Sequence, residues 1–334
     1  MLSSKVKIIA EAGVNHNGNM TYAKKLIDAA KHCGADYIKF QTYNPSLIVT
    51  PSSSIAPYQK KILSKSTSQK KMLSKLSLSN NQFIMLANYC KKKKIKFLSS
   101  AFDIPSIIFL QKKIGLDYIK IPSGEINNTP YLEVVSKLNK KVLLSTGMSS
   151  LKEIINAKKI LKKNGTKNNN IIVMHCISDY PTNYKDLNLK FINTIKKIST
   201  IVGFSDHTPG FEASIAAVTM GASFIEKHLT LSKKMKGPDH AISLDVNEFR
   251  TFVKKIRTTE VLLGKNIKII TNGEKILKKY ARKSIVASKN IKKGDIFTKF
   301  NLTTKRPGDG RNPYLWHQTL GLKAKKNFKE DEKI

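Results

Sequence analysis

The stretch IVGFSDHTPGFEASIAAVTMGASFIEKHLT (201–230) decides the fold. IVGFSDH (201–207) is a short β-type run that turns polar at its end, FEASIAAVTMGA is an apolar helical segment closing on glycine, and FIEKHLT (224–230) is a second run that again ends polar. Strand, helix and strand in so short a space form one unit of an α/β protein. Working outward, the same alternation recurs at VKIIAEA (6–12), YIKFQT (37–42), KFLSSA (96–101), YIKIPS (118–123), KVLLST (141–146) and IIVMHC (171–176), with amphipathic segments such as MTYAKKLIDAAKHCGA and SLKEIINAKKILKKNG between them. Eight alternations predict an α/β fold of the (β/α)8 TIM-barrel type rather than an open doubly wound sheet. Residues 43–79 are too long for an ordinary connection and read as an insertion at the barrel mouth, a candidate lid. Beyond the last barrel helix the pattern changes to short strands and turns. The expected organisation is a barrel over 1–270, a linker over 271–283 and a small β-rich domain over 284–334.

Composition excludes several function classes. The chain has 334 residues, 40% of them hydrophobic, enough for a large core, and its mean hydropathy of −0.29 with no long apolar run argues against a membrane protein. The N-terminus lacks a signal-peptide layout, which predicts a cytoplasmic location. Cys33, Cys90 and Cys176 are widely spaced and odd in number, so they read as buried thiols rather than a disulfide or cysteine–metal framework. The formal charge of +37 invites a nucleic-acid reading, yet only five of the sixty basic residues are arginine. The lysines are spread along the whole chain, and Lys91–Lys94 reads as a solvated helix end, so no nucleic-acid partner is expected. Small anionic substrates remain attracted.

In a barrel of this kind the chemistry sits at the C-terminal strand ends, and these are polar throughout: Glu11; Lys39 and Gln41; Ser99 and Ser100; Lys120 and Ser123, with Glu125 beyond; Ser145 and Thr146; His175; Ser205 and His207; Glu226 and His228. Side chains two apart share a face, so Lys39 with Gln41, Ser205 with His207, and Glu226 with His228 can aim into one mouth. His207 and His228 stand on adjacent strands, close enough to share a divalent cation with positions left open for substrate; His16 and His240 are looser candidates. Two lysines with Ser123, Ser145 and Ser205 suit a compact polyanion. The turn STGMSSLKE adds a helix N-terminus with capping-box spacing from Ser150 to Glu153, which also favours an anion. Phosphate site, metal and carboxylates together suggest addition of a phosphorylated carbon nucleophile to a polarised carbonyl.

At this point the chain resembles the bacterial sialic acid synthases, which condense phosphoenolpyruvate with an N-acetylated hexose to a nine-carbon 2-keto acid. The resemblance rests on AEAGVNHNG (10–18), GADYIKFQTY (34–43), KIPSGEINNTPYL (120–132), LSTGMSSLKEI (144–154), GFSDHTPG (203–210), IEKHLTLSKKMKGPDHAISL (225–244) and KRPGDG (305–310), in the family's order. It implies that His207 and His228 are the protein ligands of a divalent metal ion, Mn²⁺ with Mg²⁺ or Co²⁺ as alternatives. Lys39, Ser100, Lys120, Ser123, Ser145 and Ser205 match positions that hold phosphoenolpyruvate. Glu11 and Glu125 match carboxylates at the reacting centre, while Gln41, Ser178, Tyr180, Asp239 and Arg306 match sugar-side positions. The C-terminal segment is similar to the family's antifreeze-like SAF domain, about a strand shorter. By resemblance it crosses over in a homodimer, carrying Arg306 into the partner's barrel; an ice-binding role fits neither Arg306 nor the attached barrel.

One departure touches the phosphoenolpyruvate side, and two further segments bear on the acceptor sugar. Ser100-Ala101 replaces the family's usual Thr-Pro and keeps the hydroxyl. HCISDYPTNY (175–184) is nearer the legionaminate-synthase pattern than the neuraminate one, and GPDH (237–240) speaks against the pseudaminate branch. The smaller Ser178 and the acceptor Asp179 favour 2,4-diacetamido-2,4,6-trideoxymannose over N-acetylmannosamine.

Overall fold

The computed structural model describes residues 5–54 and 68–334, in two compact units, Met1–Gly264 and Lys265–Ile334. In the first unit eight strands close into a barrel: β1 (Lys7–Gly13), β2 (Tyr37–Thr42), β3 (Lys96–Ala101), β4 (Tyr118–Ile121), β5 (Lys141–Ser145), β6 (Ile171–Cys176), β7 (Val202–Asp206) and β8 (Phe224–His228). They pair in chain order, all parallel, and β8 returns to β1. Each strand falls within two residues, at either end, of the run that predicted it.

The strands are apolar on both faces along most of their length because both faces are covered. Ala10, Ile38, Phe40, Ile119, Ile121, Leu144, Val173, Phe204 and Ile225 face the surrounding helices and join their buried side chains in one core. Residues of the opposite parity, Ile9, Tyr37, Leu98, Leu143, Ile172, Met174 and Phe224, form a separate plug inside the barrel. Gly203 completes this layer: a Cβ there would lie 3.0 Å from both Met174 and Phe224, a contact too tight for a packed lumen. Two residues further along each strand the lumen turns polar, so the apolar plug closes the bottom of a cavity that opens only at the C-terminal face.

The helices are set by their ends. Asn19 caps Met20–Cys33, which stops at Gly34 in the left-handed region (φ 87°). Ser150 and Glu153 form the expected capping box on Leu151–Lys163, while Lys91–Lys93 close the helix Asn80–Lys93 as a cationic C-terminal turn that suits the helix dipole. The expected lid falls partly on residues 55–67, which lie outside the described residues; the rest of that connection holds the helix Gln69–Leu76, capped by Ser68. In the second unit the helix Asn272–Ala281 occupies most of the stretch read as a linker. It is followed by an antiparallel pair, β9 (Ser284–Ala287) and β10 (Leu302–Lys305), over a small core of Ile285, Ile291, Phe297, Leu302 and Phe328.

His16, in the connection after β1, is buried, with Nδ1 accepting from the Gly18 amide at 3.0 Å. Burial, aided by neighbouring His240, lowers its pKa from 6.5 to about 4. A histidine whose pKa is depressed on folding contributes stability that is whole above its unfolded pKa and is lost as pH falls toward the folded value. Urea unfolding is therefore expected to show about 1 kcal/mol less stability at pH 5.5 than at pH 7 from this residue, and His16→Gln to flatten that part of the profile.

Candidate functional site

A cavity of about 520 Å³ occupies the mouth of the barrel. Its wall takes Glu11 from β1, Lys39 and Gln41 from β2, Ser100 from β3, Lys120 from β4, Ser145 from β5, Cys176 from β6, Ser205 from β7, and Glu226 and His228 from β8. Ser123, Ser178, Tyr180, His207 and Asp239 join from the connections. The period-2 pairs Lys39/Gln41, Ser205/His207 and Glu226/His228 are thus brought into one chamber. Two of the expected site residues lie elsewhere. Glu125 sits half-buried in the turn after β4, outside the cavity wall, its carboxylate accepting from Asn128 at 2.6 Å. Arg306 belongs to the second unit, where its Nε donates to the Ala281 carbonyl at 3.0 Å.

The floor is a buried ion network. Lys39 Nζ lies 2.8 Å from Glu11 Oε2 and 3.5 Å from Glu226 Oε1, and donates to Ser100 at 3.0 Å. Lys120 Nζ reaches Glu226 Oε2 at 3.1 Å, and Ser205 donates to Glu226 Oε1 at 3.2 Å. The two carboxyls are driven apart electrostatically. Burial opposes ionisation of Glu226, but Lys120 and Lys39 override it and hold the carboxyl at about 2. Glu11 has no second lysine as close, so burial pushes it up to about 7 against the pull of Lys39, with the Glu226 charge helping. Two carboxyls with divergent protonation a few ångströms apart are the raw material of acid–base chemistry. Glu11 therefore holds its proton more readily than an ordinary carboxyl, and answers the lysine charge less fully than Glu226 does. Ser145 Oγ, buried beside it, has no hydrogen-bond partner among the described residues.

One wall is aromatic and imidazole. The His207 and His228 rings stand 5.6 Å apart, and Tyr180 packs 4.2 Å from His207. His207 Nδ1 is 2.6 Å from the Ile177 carbonyl; a carbonyl can only accept, so Nδ1 carries a proton, and although burial opposes it, Cys176 and this carbonyl raise the ring's pKa above 6.5. The carbonyl contact is the arrangement by which a backbone acceptor orients a metal-ligating histidine. His228 Nδ1 is buried with no hydrogen-bond partner among the described residues, and burial followed by His207 lowers its pKa well below 6.5, keeping the ring neutral. Asp239 shares this wall, its carboxyl raised to about 6 by burial. Around Gly13 (φ 50°) a Cβ would lie 3.3 Å from Glu11 Oε1, 3.4 Å from Gln41 Nε2 and 3.7 Å from Asp239 Oδ2, so these polar groups converge where only glycine fits. Two imidazoles beside carboxylates, one of them held neutral by burial, are a donor set that suits a divalent ion. Among the described residues no group of three or more His, Cys, Asp or Glu is arranged to hold a metal ion.

Strand parity corrects three expectations. His175 is not at the mouth: its Nε2 bonds the Leu187 carbonyl at 2.7 Å and its ring stacks on Phe204, on the helix side of β6. Cys176, one residue on, takes the lumen position, 3.8 Å from His207. Ser99 and Thr146 likewise turn outward, bonding Thr42 and the Met174 carbonyl. The helix N-terminus at Ser150 ties up the Ser150 and Glu153 amides in its capping box, and the preceding turn offers Met148 to the cavity. His16 and His240 lie outside the cavity wall, His240 bonding Thr230 and Asn17. Glu226, by contrast, is more central than its sequence role as a partner of His228 suggested. Gly147 is also needed: its amide donates to Ser123 at 3.0 Å, and a Cβ there would clash with Ser178 at 2.1 Å.

The fold and the site define a class, a (β/α)8 barrel with a blind, cationic cavity beside two imidazoles. The NeuB family model matches residues 26–268 and the SAF domain model residues 282–334, and the chain belongs to the NeuB family. It is 46% identical over 331 residues to the N,N'-diacetyllegionaminic acid synthase of Campylobacter jejuni, covering 99% of each chain. With the N,N'-diacetyllegionaminic acid synthase of Legionella pneumophila it shares 38% over 324 residues, 96% of this chain and 91% of that one. The crystal structure of the N-acetylneuraminic acid synthetase from Leptospira borgpetersenii in complex with citrate superposes with a TM-score of 0.70 at 32% identity, over 82% of this chain and 90% of the other.

Behind the two imidazoles, Asp206 and Lys227 form a fully buried ion pair at 3.1 Å on the outer face of β7 and β8. Ser214 donates to Asp206 Oδ2 at 2.6 Å, Thr208 donates to Oδ1 at 2.7 Å, and Lys227 donates to the Thr208 carbonyl at 2.5 Å. Each residue directly precedes one of the histidines. Asp206→Asn leaves a buried ammonium without its counter-charge, and is expected to cost about 3–5 kcal/mol of stability in urea unfolding.

Proposed function

We propose that this protein is a phosphoenolpyruvate-dependent nonulosonic acid synthase of the legionaminate type, condensing phosphoenolpyruvate with 2,4-diacetamido-2,4,6-trideoxymannose and water to give a nine-carbon 2-keto acid and phosphate. The observation that carries this reading is the convergence of Lys39 and Lys120, four serine hydroxyls and two imidazoles in one chamber, in a chain that matches diacetyllegionaminic acid synthases end to end. The lysine ammoniums of the floor, with Ser100, Ser123, Ser145 and Ser205, hold the phosphate and carboxylate of phosphoenolpyruvate, and the unpaired Ser145 hydroxyl is a donor in waiting. A new C–C bond joins C3 of the enol phosphate to the sugar aldehyde carbon, and the aldehyde oxygen must gain a proton as it becomes a hydroxyl. Glu11, its carboxyl raised to about 7 by burial, would hold and deliver that proton. Glu226, ionised between the lysines, pairs with both and would hold them in position.

His207 and His228 would hold the divalent ion, Mn²⁺ in first place with Mg²⁺ or Co²⁺ as alternatives. When bound, such an ion supplies Lewis-acid polarisation of a carbonyl oxygen. Gln41, Ser178, Tyr180 and Asp239 orient the sugar, with Glu125 contributing from the turn after β4. Arg306 would serve the acyl-amino group from the second subunit of a homodimer, a role that suits a planar guanidinium better than an ammonium. With a small polar sugar and a soluble enol phosphate as substrates, the enzyme would work in the cytoplasm.

Chelation is expected to abolish phosphate release from phosphoenolpyruvate and sugar, and Mn²⁺ to restore it in the wild type but not in His207→Ala. Full turnover by the chelated wild-type enzyme would remove the metal assignment. Separately, mixing inactive Arg306→Ala and Lys120→Ala protomers is expected to recover part of the wild-type activity through hybrid dimers, each with one intact composite site. Hybrid dimers that form and stay inactive would overturn the exchange.

A further inference from the structure

The cavity has a third wall that no part of the chemistry above uses. Met72, Leu73 and Leu76 from the helix Gln69–Leu76 line it together with Val14 and Phe102. These side chains form a small apolar cluster of their own, with Tyr43 and Ile48, distinct from the barrel core. The wall is preformed and anchored. Tyr43 donates its hydroxyl to the Leu73 carbonyl at 3.4 Å, and a Cβ at Gly18 (φ 69°) would lie 2.4 Å from the Lys75 carbonyl, so the helix rests against glycine backbone where no side chain could stand.

Resting on the synthase reading, we propose that this wall is the specificity determinant for a 6-deoxy acceptor: Met72, Leu73 and Leu76 receive the C6 methyl end of the sugar and discriminate against a 6-hydroxyl. The placement follows from the reaction. The aldehyde carbon must meet C3 of phosphoenolpyruvate on the lysine floor, so the far end of the sugar chain points away from the floor toward the rim. The helix follows the long connection after the C-terminal end of β2, which puts it at that rim. The imidazole wall supplies hydrogen-bonding and coordinating groups; among the described residues the helix wall supplies none beyond Gln69 at its first turn. An apolar surface gains from burying a methyl and strips a hydroxyl of its water without replacing the lost hydrogen bonds.

The test compares kcat/KM from phosphate release for 2,4-diacetamido-2,4,6-trideoxymannose and for 2,4-diacetamido-2,4-dideoxymannose, which differs only by the 6-hydroxyl. The wild type is expected to favour the 6-deoxy sugar by roughly tenfold or more. Leu73→Gln, at a half-buried position, is expected to bring that ratio toward one, and the conservative Met72→Leu to retain it. Gly18→Ala, which displaces the helix without altering any cavity side chain, is expected to lower the ratio as well. Equal kcat/KM for the two sugars in the wild type, or a Leu73→Gln ratio unchanged from it, overturns the assignment of the wall while leaving the synthase reading intact. No phosphate release with any N-acetylated hexose overturns the synthase reading and this inference with it.

Discussion

Everything in the site depends on two ammonium groups held inside a protein. Lys39 and Lys120 are both almost wholly buried, and a buried charge is tolerated only when paired. Glu226 answers both lysines and stays ionised because it sits between them; Glu11 answers Lys39 alone and is left near its titration point. The carboxylates therefore compensate the lysines incompletely. That residual positive potential, in a chamber closed below by hydrocarbon, is what an incoming polyanion completes. Compensating both charges fully would stabilise the empty protein and weaken the site.

The barrel makes such a network possible by separating its two faces. Outward residues join one core with the helices, while inward residues stack as an apolar plug and then, two positions later on each strand, a polar layer. The plug keeps water from entering beneath the lysines. Parity also decides which neighbour does what at the strand ends: Asp206 and Lys227 face outward and lock to each other, and His207 and His228, each one residue on, line the cavity. The stability of the outer pair and the geometry of the inner one are coupled through the single rigid peptide unit that joins the two residues on each strand.

The segment after β2 adds what the barrel cannot. Strand ends supply polar groups from eight directions but no continuous apolar surface, because each contributes only one or two side chains to the mouth. A helix laid across the rim presents several at once, at positions 72, 73 and 76. The chamber thereby acquires three chemically different sides, cationic, imidazole and hydrocarbon, matching a substrate pair that carries a phosphate, a carbonyl and an aliphatic end.

Sequence alone determined the eight strands and the polar character of their ends, because period-2 patterning and strand–helix alternation are local properties that any one segment displays. It also fixed the pairs Lys39/Gln41, Ser205/His207 and Glu226/His228 as sharing a face, since residues two apart on a strand must do so. It could not say which face of a doubly covered strand is the lumen. β6 is apolar or uncharged on both sides, so His175 and Cys176 were interchangeable until barrel closure set their parity. Only the tertiary structure placed Glu226 between two lysines from β2 and β4, set Glu125 outside the cavity wall, brought Gly147 against Ser178, and laid Met72, Leu73 and Leu76 over the rim. Each of these is a contact between segments far apart in the chain, and the distance between such segments is decided by packing, not by local pattern.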